Sequence, residues 1–113
     1  MAAIANLTVD QGTSFTSDVT VKDANGNPFD LTGYTAEAKM AKGYASTRTR
    51  TTITTTIAAD ATTGVVTLSL SSTVSAALDA ERYVYDLEIT QTSSGNVTRV
   101  IEGIITVRPQ VSI

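Results

Sequence analysis

Asp79-Ala80-Glu81-Arg82-Tyr83-Val84-Tyr85-Asp86-Leu87-Glu88-Ile89-Thr90-Gln91 is the stretch on which the reading of this sequence turns. From Arg82 onward, Tyr83, Tyr85, Leu87 and Ile89 alternate with Asp86, Glu88 and Thr90. Successive side chains of a strand point to opposite faces, so a period of two with one apolar set marks a half-buried β-strand from Arg82 to Gln91. Downstream, Val97 to Arg108 reads as another strand, ended by Pro109. Upstream, Tyr34 to Ala41 alternates with Tyr34, Ala36, Ala38 and Met40 inward and Glu37 and Lys39 outward. Thr51 to Ala58 places Ile53 and Ile57 inward, and Val65 to Ser71 does the same with Val66, Leu68 and Leu70. Ile4 to Asp10 and Ser14 to Asp23 complete the set, the latter with Phe15, Val19 and Val21 on one face, and a short piece runs Phe29 to Leu31. A single helical turn is expected at Thr73 to Leu78 with Ser72 as its N-cap. Asp79 and Glu81 keep it short, because acidic side chains oppose the negative end of a helix.

The seven glycines fall singly, and all except Gly103 stand where an alternating segment stops. Asn25-Gly26 sits in a tight turn between strands, where a positive φ favours Gly26. Abundant Thr, Val and Ile suit pleated strands. The expectation is an all-β fold of about seven or eight short strands.

At 113 residues the chain has room for one domain, residues 1–113, and folding should bury roughly 65% of the surface its unfolded chain exposes. There is no Cys and no His. Disulfides, Cys–His nucleophiles, the usual zinc sites and the side chain best suited to proton transfer near neutrality are all excluded. A net charge of −3 has the wrong sign for general nucleic-acid affinity. MAAIANLTVDQ lacks a basic region followed by a continuous apolar one, so no export signal is read, and no run reaches the ~20 apolar residues of a membrane span. The chain is expected to be made in a cytoplasm, with no membrane and no small-molecule substrate.

Candidate chemistry is thin. Asp86 and Glu88 share one strand face at roughly 6.7 Å along the backbone, near the separation of an inverting carboxylate pair. They are read as a solvated strand face, since no sugar-stacking Trp exists. Asp23, Asn25, Asn27 and Asp30 offer oxygens to calcium, but counted from Asp23 the EF-hand positions for Gly and Glu hold Pro28 and Tyr34. Ser and Thr hydroxyls have no activating base, and no phosphate-binding glycine spacing occurs. Asn6-Leu7-Thr8 and Asn96-Val97-Thr98 match the glycosylation sequon without an export signal to make it meaningful. The chain is therefore read as non-enzymatic, with no catalytic, cofactor or metal residues.

Charge distribution says more. Between Ala38 and Ala59 stand Lys39, Lys42, Arg48 and Arg50 and no acid, so the rest of the chain carries about −7. Such a segment is a solvated loop, a docking surface for an acidic protein face, or, with only Tyr44 to stack on a base, a meagre nucleic-acid contact. In Val100-Ile101-Glu102-Gly103-Ile104-Ile105-Thr106-Val107 both faces carry aliphatics. If Ile101, Ile105 and Val107 face the core, Val100 and Ile104 point outward beside a bulge at Gly103. With Val111 and Ile113 they form a candidate contact patch.

Asp79 to Tyr85, opening a strong strand after a turn, resembles the E–F corner of immunoglobulin-like sandwiches, where a Tyr hydroxyl bonds to upstream backbone. Tyr83 would be that tyrosine, with Tyr85 at the position of an antibody cysteine; an ordinary strand start is the alternative. Val19-Thr20-Val21-Lys22-Asp23-Ala24-Asn25-Gly26-Asn27-Pro28 is similar to the strand–turn signature of bacterial and phage immunoglobulin-like repeats. Gln11-Gly12-Thr13-Ser14-Phe15, Asp30-Leu31-Thr32-Gly33-Tyr34 and Tyr83-Val84-Tyr85-Asp86-Leu87, with Gly95, Arg99 and Gly103-Ile104-Ile105-Thr106-Val107, extend the likeness over nearly the whole chain. This order resembles small tailed-bacteriophage virion proteins, in particular the amino-terminal β-sandwich domain of upper baseplate proteins. The resemblance implies an immunoglobulin-like antiparallel β-sandwich acting as a virion assembly module, a tail or baseplate accessory subunit, with other virion proteins or copies of itself as partners. Baseplate proteins continue into further domains where this chain stops at Ile113, which also fits a capsid decoration protein. An immunoglobulin-like adhesin or carbohydrate-binding module is the remaining reading.

Overall fold

Arg82–Gln91 forms the central strand, flanked by Tyr34–Ala41 on one side and Val97–Arg108 on the other, all antiparallel. The structure, a computed structural model, describes residues 2–45 and 47–112. In chain order the strands are β1 (Ala3–Ile4), β2 (Leu7–Asp10), β3 (Phe15–Thr20), β4 (Tyr34–Ala41), β5 (Thr51–Ile57), β6 (Val65–Leu70), β7 (Arg82–Gln91) and β8 (Val97–Arg108). They run β1-β8-β7-β4-β5-β6-β3, with β2 also on β8, as one sheet curled into two layers. β5 makes the fold-over. Its first residues pair with β4 (Ala38↔Ile53) and its last with β6 (Ile57↔Val66), while the Thr55 hydroxyl still donates to the Ala36 carbonyl at 2.9 Å.

Between the layers lie Tyr83, Tyr85, Leu87 and Ile89 of β7, Val66, Leu68 and Leu70 of β6, and Val19, Ile53, Ile101, Ile105 and Val107, all buried. These are the apolar phases of the alternating segments. Burying each large aliphatic side chain contributes about 1.5–3 kcal/mol before the entropy of ordering is subtracted.

Four local expectations are corrected. The strand expected from Ile4 to Asp10 breaks at Ala5-Asn6, yet β1 and β2 keep one register on β8 (Ala3↔Ile101, Leu7↔Ile105). Across the break the Asn6 side-chain Oδ1 accepts the Ile104 N–H, and the Ala5 carbonyl accepts the Tyr85 hydroxyl. Second, Phe29 to Leu31 is not a strand. The Phe29 N–H donates to Val21 and the Leu31 N–H to Ala61, so its backbone is satisfied by two different segments. Third, the helix α1 (Ser72–Ala76) starts one residue early. Ser71, still extended, is the N-cap and accepts the Val74 N–H at 3.2 Å.

The fourth correction matters most for the surface. The β7–β8 register slips between Leu87↔Ile101 and Glu88↔Arg99, so the bulge is at Val100 and not at Gly103. Val100 packs partly buried against the core, and Arg99 takes the outward place. Gly103 has a different reason. A Cβ there would lie 2.2 Å from the Ala5 carbonyl oxygen, so only glycine lets the amino-terminal segment approach β8.

Candidate protein-contact surface

The corner after α1 is built by one hydroxyl. Tyr83 Oη accepts the Asp79 N–H at 2.9 Å and donates to the Asp79 carbonyl at 3.1 Å, four residues upstream. Burial pushes the Tyr83 phenol up, against the opposing pull of its bond to the Asp79 backbone. Tyr85, also buried, is pushed up to about 12 by desolvation. Gly26 takes φ +81 in the turn where the Asp23 carboxylate accepts the Asn25 and Asn27 N–H groups. Asp23 thus closes a turn, and Asp30 does the same with Thr32, whose hydroxyl and N–H hold its carboxyl below the usual range. The oxygens weighed for calcium thus belong to two successive turns of the β3–β4 connection.

The basic segment is less free than its composition suggests. Lys42 pairs with Asp79 and with Glu81 at 3.3 Å, which raises the ammonium above the ordinary lysine range. Arg50 is turned inward on its own loop, its guanidinium donating to the Ala45, Arg48 and Tyr44 carbonyls at 2.8–3.1 Å. Lys39 lies 3.7 Å from Glu37. Arg48 makes no ion pair among the described residues.

What the register assembles is the outer face of β4, β7 and β8, in three rows. Ala41, Val84 and Ile104 stand side by side; next come Lys39, Asp86 and Glu102; then Glu37, Glu88 and Arg99. Ile104 is 40% exposed, while Ala41 is buried beneath its neighbours. Tyr44, 66% exposed, borders a shallow groove of about 210 Å³ with Ala41, Val84, Asp86 and Arg50. Arg99 reaches Asp86 at 3.2 Å and Glu102 at 3.7 Å. Asp86 is therefore an ion-pair partner on an open face.

The residues singled out from sequence fall in separate places. Lys39 and Ile104 share the outer face. Lys42, Arg48 and Asp79 line a second shallow depression beside the corner. Val100 faces the core side. Val111, 95% exposed, lies past β8, where the Gln110 N–H donates to the Gln11 side chain; Ile113 lies outside the described residues. Sequence reasoning missed Val84 and Arg99. Val84 carried a signal, being the one aliphatic in the outward set of β7; Arg99 carried none, because its outward place depends on the bulge. No helix among the described residues is long and apolar enough to cross a membrane.

No protein-family model matches the chain, and no curated protein matches it in sequence. Solved structures do match in shape. A chicken TCR superposes with a TM-score of 0.58 at 11% identity, covering 95% of this chain and 54% of that one, so this chain spans about half its length. The N-terminal domain of phage TP901-1 ORF48 superposes with a TM-score of 0.56 at 12% identity, covering 92% of this chain and 85% of that one. The Lin-41 filamin domain aligns more loosely, with a TM-score of 0.44 at 18% identity over 89% of this chain and 82% of that one. Identities this low speak for the fold alone. With the strand order and the tyrosine corner, the first two matches show an immunoglobulin-like β-sandwich fold.

Proposed function

We propose that this domain is a non-catalytic structural subunit of a tailed-phage virion, a tail or baseplate accessory protein that works through protein contacts. The observation that carries the reading is the match to a phage domain over nearly the full length of both chains, 92% and 85%. A sequence without His or Cys, and an acid pair of which Asp86 is neutralised by Arg99, support a binding role over catalysis. The outer face of β4, β7 and β8, with an apolar row beside charged ones, is the surface offered to neighbours. Apolar side chains beside charged ones are usual in a contact, the charges setting register and the apolar area affinity.

The test is mass spectrometry of gradient-purified particles of the phage that encodes the chain, with heads and tails separated. The chain should appear with the tail fraction in a fixed ratio to other structural proteins, and Ile104→Asp should lower its incorporation at every salt concentration. Recovery with heads would favour a decoration protein. Absence from intact particles would overturn the virion reading.

A further inference from the structure

On either side of β7, the outer face of β4, β7 and β8 is complementary in charge to itself. A two-fold axis along β7, placed over that face, sets β4 of one copy on β8 of the other, level by level. Lys39 then faces Glu102 and Glu37 faces Arg99, while Ile104 lies over the buried Ala41, because each row pairs β4 and β8 residues through β7 (Ala41↔Val84↔Ile104, Lys39↔Asp86↔Glu102, Glu37↔Glu88↔Arg99). Both charged off-axis pairs are acid on base. The bulge at Val100 is essential, since without it Val100 and not Arg99 would oppose Glu37.

We infer that this face binds a second copy of the chain, forming an isologous two-fold dimer with the outer sheets packed face to face. The inference rests on reading the domain as a protein-contact module and names the occupant of its surface. A two-fold contact repeats each pair, so four acid–base contacts form, opposed by two like-charge contacts on the axis, Asp86 and Glu88 with their own copies. The Arg99 guanidinium 3.2 Å from Asp86 weakens one of those. Three strands present less than the ~800 Å² per partner of a standard interface, so the dimer belongs among weak, transient contacts. It gains occupancy when assembly raises local concentration.

Sedimentation equilibrium of the purified chain at low salt, up to about 1 mM, tests this directly. A concentration-dependent dimer is expected. Lys39→Glu alone and Glu102→Lys alone should each weaken it about tenfold, since each turns two attractive contacts repulsive. Mixed in equal amounts, the two variants should regain affinity close to that of the unaltered chain, because each supplies the charge the other now requires. If either variant melts early, Glu37→Lys with Arg99→Glu provides the same mixing test. A chain that stays monomeric, a dimer insensitive to these charges, or a mixture that does not recover would each overturn the inference. A monomeric result leaves the particle experiment untouched, so the two readings fail separately.

Discussion

Replacing Tyr83 by Phe removes one oxygen from the interior and leaves the ring in place. That oxygen serves two groups of one residue, the Asp79 N–H at 2.9 Å and the Asp79 carbonyl at 3.1 Å. The two losses differ. The carbonyl keeps a partner, because the Glu81 N–H also donates to it at 2.9 Å, whereas the Asp79 N–H is left without its acceptor. Stranding one partly buried donor costs about 1–3 kcal/mol, and with Asp79 itself exposed water recovers part of that, so the expected loss is about 1–1.5 kcal/mol. At about 2.1 cal/mol/K per residue, unfolding this chain has an entropy near 0.24 kcal/mol/K, which places the drop in Tm at about 4–6 °C. Thermal and urea unfolding of the purified domain measure it. The m-value should not change, since no surface is newly exposed. A variant with an unchanged Tm and urea midpoint would show that the hydroxyl contributes no stability and would sink the corner as a structural device.

Gly103→Ala should cost about 1–3 kcal/mol, because its Cβ would press on the Ala5 backbone at 2.2 Å; Gly26→Ala, in open space at φ +81, should cost only about 1 kcal/mol. Urea midpoints that reverse this order would refute the close-approach argument. Stability should decline as pH rises from about 10 to 12, since an unfolded tyrosine ionises near 10 while burial holds Tyr85 at about 12; the stabilisation is complete below 10 and fades through the folded value. Tyr85→Phe should flatten that slope, and a wild-type urea midpoint constant across this range would contradict it. Changing Lys42, Arg48 and Arg50 together to Ser should loosen the segment after β4 as well as weaken assembly at low salt, because Lys42 holds Asp79 and Glu81 and Arg50 clips three carbonyls. Amide exchange across residues 42–50 reads this, and unchanged protection would mean that the clip contributes nothing.

Alternation and turn residues determined the frame. Tyr34–Ala41, Arg82–Gln91 and Val97–Arg108 have the ends read from the sequence, the first two because they carry a period of two and the last because it is aliphatic-rich between Gly95 and Pro109. Tyr83 was legible as the corner because its partner is local, four residues away along the chain. The remaining features depend on contacts between distant segments. β5 could not be seen to divide between two layers, since its Thr-rich sequence does not mark which partner each half will meet. Nor could the Ala5-Asn6 break be read, because its partners, Tyr85 and Ile104, lie about eighty or more residues away.

The bulge shows the limit most clearly. In sequence, strict alternation from Ile101 puts Val100 outward and Arg99 inward. In the fold, one extra residue against Leu87 and Glu88 exchanges them: Val100 joins the core, and Arg99 reaches Asp86 and Glu102. A strand's own pattern fixes which side chains can share a face. Register against a neighbour, set by cross-strand packing and by where the ladder slips, decides which of them meet.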